Sequence, residues 1–134
     1  MADEFKSYTE IKNQTEAWRQ AFEQVTARAG EIRSFWKEAN PDQVLFTGCT
    51  SPYYAGMSAA VGLQQQLGVP VRAVPCNELI QFPDAYLTRD ANPVMIVLSR
   101  SGRTTEALWA VEQFNARFPG RTILLSPREK TPLS

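Results

Sequence analysis

Histidine is missing altogether, cysteine occurs twice, and 14 Lys and Arg are balanced by 14 Asp and Glu to a net charge of zero. Each scarcity removes a class of function. Without imidazole there is no Ser-His-Asp or Cys-His nucleophile, no His-ligated zinc, and no side chain whose ordinary pKa lies near neutrality. Cys49 and Cys76 are too few for a cysteine metal cage or a disulfide scaffold, so both are expected as reduced thiols, with no metal and no cofactor. A balanced chain with no Lys/Arg block lacks the electrostatic footprint that holds a phosphate backbone, which argues against a nucleic-acid partner. No apolar run approaches the roughly 18 residues that cross a bilayer, and the opening MADEFKSYTE has no basic-then-apolar signal pattern. The expectation is a cytoplasmic protein without a membrane partner. At 134 residues the chain suits one core-bearing domain, small for an open sheet covered on both faces.

What is present divides into two textures. Over residues 1–40, Ile11, Trp18, Phe22, Val25, Ala29, Ile32 and Trp36 recur at spacings of three, four and seven, one apolar stripe on a long helix. Ser7 with Glu10 has the form of a capping box. Asn40-Pro41-Asp42 ends the helical segment, because proline disfavours helix in the residue before it. Two readings of the stripe stand: it packs across its own domain, or its tryptophans face a second subunit.

Over residues 41–134, apolar runs alternate with amphipathic stretches. Val44–Phe46, Val69–Val74, Pro93–Leu98 and Thr122–Leu125 read as strands. Tyr53–Leu67, stopped by Gly68, and Thr105–Phe118, stopped by Pro119-Gly120, read as helices. PVMIVL at 93–98 is apolar throughout, as a strand buried on both faces should be. This alternation predicts an α/β fold, a three-layer α/β/α sandwich on a parallel, flavodoxin-like open sheet. Residues 75–92 form a longer connection with a helical turn over Asn77–Ile80. The last strand is followed by SPREKTPLS, with no helix to cover it, so the domain is expected to be incomplete at its C-terminal end or covered there by a partner chain.

In such sheets ligands sit where strand ends lead into helix N-termini. Two such loops, Thr47-Gly48-Cys49-Thr50-Ser51-Pro52 and Ser99-Arg100-Ser101-Gly102-Arg103-Thr104-Thr105, combine hydroxyls with glycine. Helix starts offer free N–H groups and a partial positive charge of about half a unit, to which small hydroxyls add further donors. Serine and threonine are also the usual N-caps, but a cap needs one hydroxyl per helix, and the second loop supplies a surplus. Neither a Gly-Lys-Ser/Thr phosphate loop nor a G-x-G-x-x-G is present, which disfavours nucleoside triphosphates and dinucleotides and leaves a phosphate monoester on a small molecule. Cys49, at a helix start, has two readings: a thiol of lowered pKa or a buried spacer. Arg72, Arg89 and Arg121 read as surface charges.

The pairing of VLFTGCTSPYYAGMSAA with VMIVLSRSGRTTEAL resembles the SIS (sugar isomerase) domain family, over most of residues 40–133. Within it the chain is most similar to stand-alone phosphosugar ketose/aldose isomerases and deaminases and to the isomerase half of glucosamine-6-phosphate synthase. Glu10-Ile11, Gln14 and Trp18 fit the former group. The resemblance implies binding of a phosphorylated hexose or amino-hexose. It assigns phosphate contacts to Ser51, Ser99, Ser101 and Thr104, a close turn to Gly102, and added positive charge to Arg100, where many members carry Gln. Thr50 stands where a glycine is frequent, Pro52 where a small hydroxyl is frequent, and Arg103 where Glu is common. Asn77-Glu78-Leu79 falls where members carry an element bordering the site, which makes Glu78 the one catalytic candidate. Thr131-Pro132-Leu133 resembles a Ser-Pro-Leu that touches sugar hydroxyls. In isomerising members the Glu, Lys and His of catalysis lie in a second SIS domain or a later half, so acid/base groups are expected outside this chain. A homodimer or a further SIS domain is the implied partner. The alternatives are a non-catalytic sugar-phosphate sensor and a structural dimerisation module built on Trp18 and Trp36.

Overall fold

A computed structural model describes residues 5–88, 90–128 and 130–133; Arg89 lies outside them. The chain divides between Glu38 and Ala39 into two compact units. The first is helical. Instead of one uninterrupted helix it contains α1 (Lys6–Ala27) and α2 (Ala29–Ala39), separated at Arg28, whose N–H is shared between the carbonyls of Gln24 and Val25. Gly30 lies just beyond, where glycine weakens a helix by about 0.8–1 kcal/mol relative to alanine. The Ser7–Glu10 box is not used: Phe5 occupies the cap position without a side-chain cap, and Ser7 is already inside α1.

The second unit carries β1 (Gln43–Gly48), α3 (Ser51–Leu67), β2 (Val71–Pro75), α4 (Cys76–Gln81), α5 (Pro83–Tyr86), β3 (Pro93–Leu98), α6 (Thr105–Arg117) and β4 (Thr122–Leu125). The strands form one parallel sheet in the order β2-β1-β3-β4, the flavodoxin-like arrangement. The central strands pair in register through Val44↔Val94 and Phe46↔Ile96 and are buried over nearly their whole length. β2 starts at Val71, two residues later than the sequence suggests, because Pro70 has no N–H to give to a ladder. α3 begins earlier, at Ser51, since Pro52 is tolerated in a first turn.

Right-handed crossovers put α3 on one face of this sheet and α4, α5 and α6 on the other, giving three layers. Leu45, Met95 and Val97 turn toward α6 and pack with Ala107, Ala110 and Phe114. The alternate residues face α3, where Gly56 lets the helix approach closely: a Cβ there would lie 2.8 Å from Phe46 Cβ. Asn92 fixes the entry side, its side-chain amide donating to the carbonyls of Ala39 and Asn40 while its N–H donates to Asp42. Arg121 donates to the Ala39 carbonyl, a structural role. β4 forms one edge, with Leu125 exposed. Among the described residues no helix is long and apolar enough to cross a membrane.

Candidate functional site

In the order β2-β1-β3-β4 the chain reverses direction across the sheet between β1 and β3. Their carboxyl ends therefore diverge into α3 and α6 and leave a crevice. A cavity of about 340 Å³ opens there, lined by Thr50, Ser51, Ser99, Arg100, Ser101 and Thr104 over a floor of Cys49, Leu98 and Ala107. Five of the six residues assigned from sequence to phosphate thus line one cavity. The sixth, Gly102, shapes the loop instead. It has φ +65, and a Cβ on it would lie 2.4 Å from Thr131, so the segment after β4 returns onto this loop.

The hydroxyl-rich loops are not consumed by capping. Thr50 precedes α3 and Thr104 precedes α6, yet neither makes a side-chain cap hydrogen bond. Ser99, almost fully buried, accepts the Gly102 N–H at 3.0 Å, and Ser101 accepts the Arg103 N–H at 3.2 Å. Each serine keeps its own O–H to donate. The helix starts, one 17 and the other 13 residues long, bring the positive ends of two dipoles to the same cavity. Among the described residues neither Arg100 nor Arg103 joins an ion pair. Thr50 sits at φ 57, ψ −122, a conformation that suits glycine and strains threonine.

Cys49 is half-buried on the cavity floor, and its thiol is shifted away from activation. Partial burial pushes it up to about 12, with further contributions from the neighbouring Cys76 and the Glu106 carboxylate. Both cysteines are free. Glu78 does not line the cavity. Its carboxylate accepts a short hydrogen bond from the Tyr86 hydroxyl, a partnership that raises the Tyr86 pKa, helped by partial burial. Another cavity, about 230 Å³ between α5 and α6, is lined by Leu79, Pro83, Leu87, Phe114 and Arg117 and lacks converging polar groups. Among the described residues no group of three or more His, Cys, Asp or Glu is placed to hold a metal ion.

No protein-family model matches the chain. The D-galactosamine-6-phosphate deaminase of Escherichia coli is 27% identical over 114 residues, covering 82% of this chain and 29% of the relative. The isomerizing glutamine–fructose-6-phosphate aminotransferase of Acinetobacter baylyi is 28% identical over 130 residues, 92% of this chain and 21% of the relative. Among solved structures, tagatose-6-phosphate ketose/aldose isomerase from Escherichia coli superposes with a TM-score of 0.78 at 25% identity, covering 89% of this chain and 33% of that one.

The chain is similar to the SIS-domain family of phosphosugar isomerases and deaminases.

It spans less than a third of the length of the curated relatives it matches. Two features of this sheet unit were out of reach of sequence reasoning: the backbone of Thr50, and the contact of Thr131 with the loop at Gly102. The first had a signal, a threonine where the family favours glycine. The second had the weaker signal of Thr131-Pro132-Leu133.

Proposed function

We propose that the SIS unit binds the phosphate of a phosphorylated hexose or amino-hexose in the cavity between the starts of α3 and α6, as part of a sugar-phosphate isomerase or deaminase. One observation carries this reading: two uncapped helix N-termini and the hydroxyls of Ser51, Ser99, Ser101 and Thr104 converge on one cavity of about 340 Å³. A phosphate dianion there would accept first-turn N–H groups and hydroxyl donors at once, with Arg100 supplying full positive charge. Glu106, in the first turn of α6, works against the anion, which gives Arg100 a charge to offset.

The sugar ring would extend from the phosphate toward Thr131 and the ends of β1 and β3. Moving a proton between adjacent carbons needs a base, and ring opening needs an acid. Among the residues lining the cavity there is no carboxylate, and its thiol holds its proton to about pH 12. This favours a second reading for the chain by itself, binding without turnover, with Glu78 orienting its loop. Calorimetry with galactosamine 6-phosphate, glucosamine 6-phosphate and fructose 6-phosphate against the unphosphorylated sugars tests the phosphate site; equal or absent binding of the two sets rejects it. Turnover of any of these by the chain alone would reject the binding-only reading.

A further inference from the structure

Resting on the phosphate site proposed above, we infer that its sugar phosphate carries a second anionic group at the far end of the sugar, read by Arg103 and Lys130. The loop before α6 carries Arg100 and Arg103, and the segment after β4 carries Arg128 and Lys130. The carboxylates of the same two stretches are Glu106 and Glu129, the latter outside the described residues. All four cations are exposed, and among the described residues none of them joins an ion pair. In a chain of net charge zero this is a local concentration of positive charge, set at the mouth of one cavity.

The fold divides these cations between two tasks. Arg100 lines the cavity with Ser51, Ser99, Ser101 and Thr104 and belongs to the first phosphate. Arg103 lies outside that lining, and its N–H is tied to the Ser101 Oγ at 3.2 Å, which fixes its backbone two residues beyond a phosphate-facing serine. Lys130 reaches the same place from the other segment: a Cβ on Gly102 would lie 2.4 Å from the Thr131 Cβ. Arg103 follows Gly102 and Lys130 precedes Thr131, so with about 3.8 Å between consecutive Cα atoms the two Cα atoms lie within about 13 Å of each other. Two long side chains at that spacing can close on one anion from two sides. The sugar, extending from the helix starts toward Thr131, would bring its far end to them. A hydroxyl there offers a neutral acceptor, whereas a phosphate or carboxylate offers the charge-assisted, bidentate geometry that a guanidinium matches.

Calorimetry on the whole chain is the test, at about 0.15 M salt, where exposed charges more than about 8 Å apart are largely screened. It compares ligands that differ only at the far end: 6-phosphogluconate against sorbitol 6-phosphate, and fructose 1,6-bisphosphate against fructose 6-phosphate. At least one doubly anionic ligand should bind ten times or more tighter than its counterpart, and which one does so identifies the second group as carboxylate or phosphate. Arg103→Gln with Lys130→Gln should bring that ratio to within about twofold of one. Both side chains are exposed and outside any ion pair among the described residues, so the thermal transition should hold; each single substitution, read separately, should lower the ratio as well. Equal binding within both pairs overturns the proposal and leaves the phosphate site standing. A preference that survives the double substitution assigns the second group to other residues and also overturns it, as does gluconate binding as tightly as 6-phosphogluconate. Absence of binding by any of these sugar phosphates rejects the phosphate site, and this proposal with it.

Discussion

Thr131 occupies the space that a side chain on Gly102 would need: a Cβ built there lies 2.4 Å from the Thr131 Cβ. The loop between β3 and α6 and the segment after β4 are thus fitted to each other through a missing side chain. Gly102→Ala meets this clash and also the left-handed φ of +65, a combined penalty of about 2–4 kcal/mol. Chemical denaturation should show that loss, together with at least a tenfold weaker affinity for a sugar phosphate by calorimetry. Adding Thr131→Gly removes the clash but not the φ penalty, so the double variant should recover part of the stability. Additive losses in that cycle would show that the two residues do not communicate.

Thr104 separates a helix cap from a ligand group. A capping threonine changed to alanine costs about 0.5–2 kcal/mol, but Thr104 makes no side-chain cap hydrogen bond. Thr104→Ala should therefore move stability by less than about 0.5 kcal/mol, while sugar-phosphate affinity falls about tenfold for one lost hydrogen bond to a charged group. Ser99→Ala should behave differently. It orphans the Gly102 N–H that Ser99 accepts, so stability drops by about 1–3 kcal/mol as affinity falls. A stability loss in Thr104→Ala equal to that of Ser99→Ala would argue for a cap.

The ends of β3 and β4 and the start of α6 fall where the sequence places them because each is settled locally. PVMIVL is apolar throughout, and Gly102 and Pro119-Gly120 punctuate α6. The cavity lining was legible for the same reason: strand-loop-helix order brings Ser51, Ser99, Ser101 and Thr104 to one end of the sheet. Features fixed by long-range partners were not. α5, a single turn, is held by Pro83 at its start and by Arg117 of α6 reaching Asp84 at 2.9 Å. The resemblance places Glu78 beside the site, yet its carboxylate is taken by Tyr86, eight residues on. The break at Arg28 depends on a local backbone adjustment that an apolar stripe running through it conceals.

Thr50 stores strain beside the cavity. Its backbone, at φ 57 and ψ −122, costs a non-glycine residue about 1–3 kcal/mol, whereas glycine there would add about 0.5–1 kcal/mol of unfolded-state entropy. Thr50→Gly should therefore raise stability by about 1 kcal/mol, seen as a higher denaturant midpoint with unchanged slope. A lower midpoint would mean that the threonine side chain contributes more than its backbone costs.

Cys49 should be a slow thiol. With burial holding it protonated to about 12, iodoacetamide should label it far more slowly than an exposed cysteine, at a rate still rising with pH where ordinary thiols have levelled off. The linkage has a definite sign. In the unfolded chain the thiol ionises near its ordinary pKa of about 8.5, so above that pH the folded state binds more protons and stability declines as pH rises toward 12. Cys49→Ser should change that alkaline slope. Fast labelling at neutral pH would contradict the raised pKa and the spacer role.

Tyr86 reports on Glu78. The hydrogen bond to the carboxylate raises the phenol pKa first, with partial burial and the carboxylate's charge adding to it. The contribution of this pair is present below the ordinary phenol pKa of about 10 and is lost as pH rises through the raised value. Ultraviolet titration of the folded protein should show one tyrosine ionising later than the rest, and Glu78→Gln should bring it back toward them. Tyr86→Phe should remove the late component while leaving sugar-phosphate affinity within about twofold, since Glu78 does not line the cavity and one lost contact outside a site is worth well under the 1.4 kcal/mol of a tenfold change. A large affinity loss in Tyr86→Phe, restored by no second change at Glu78, would instead assign the phenol itself to the sugar.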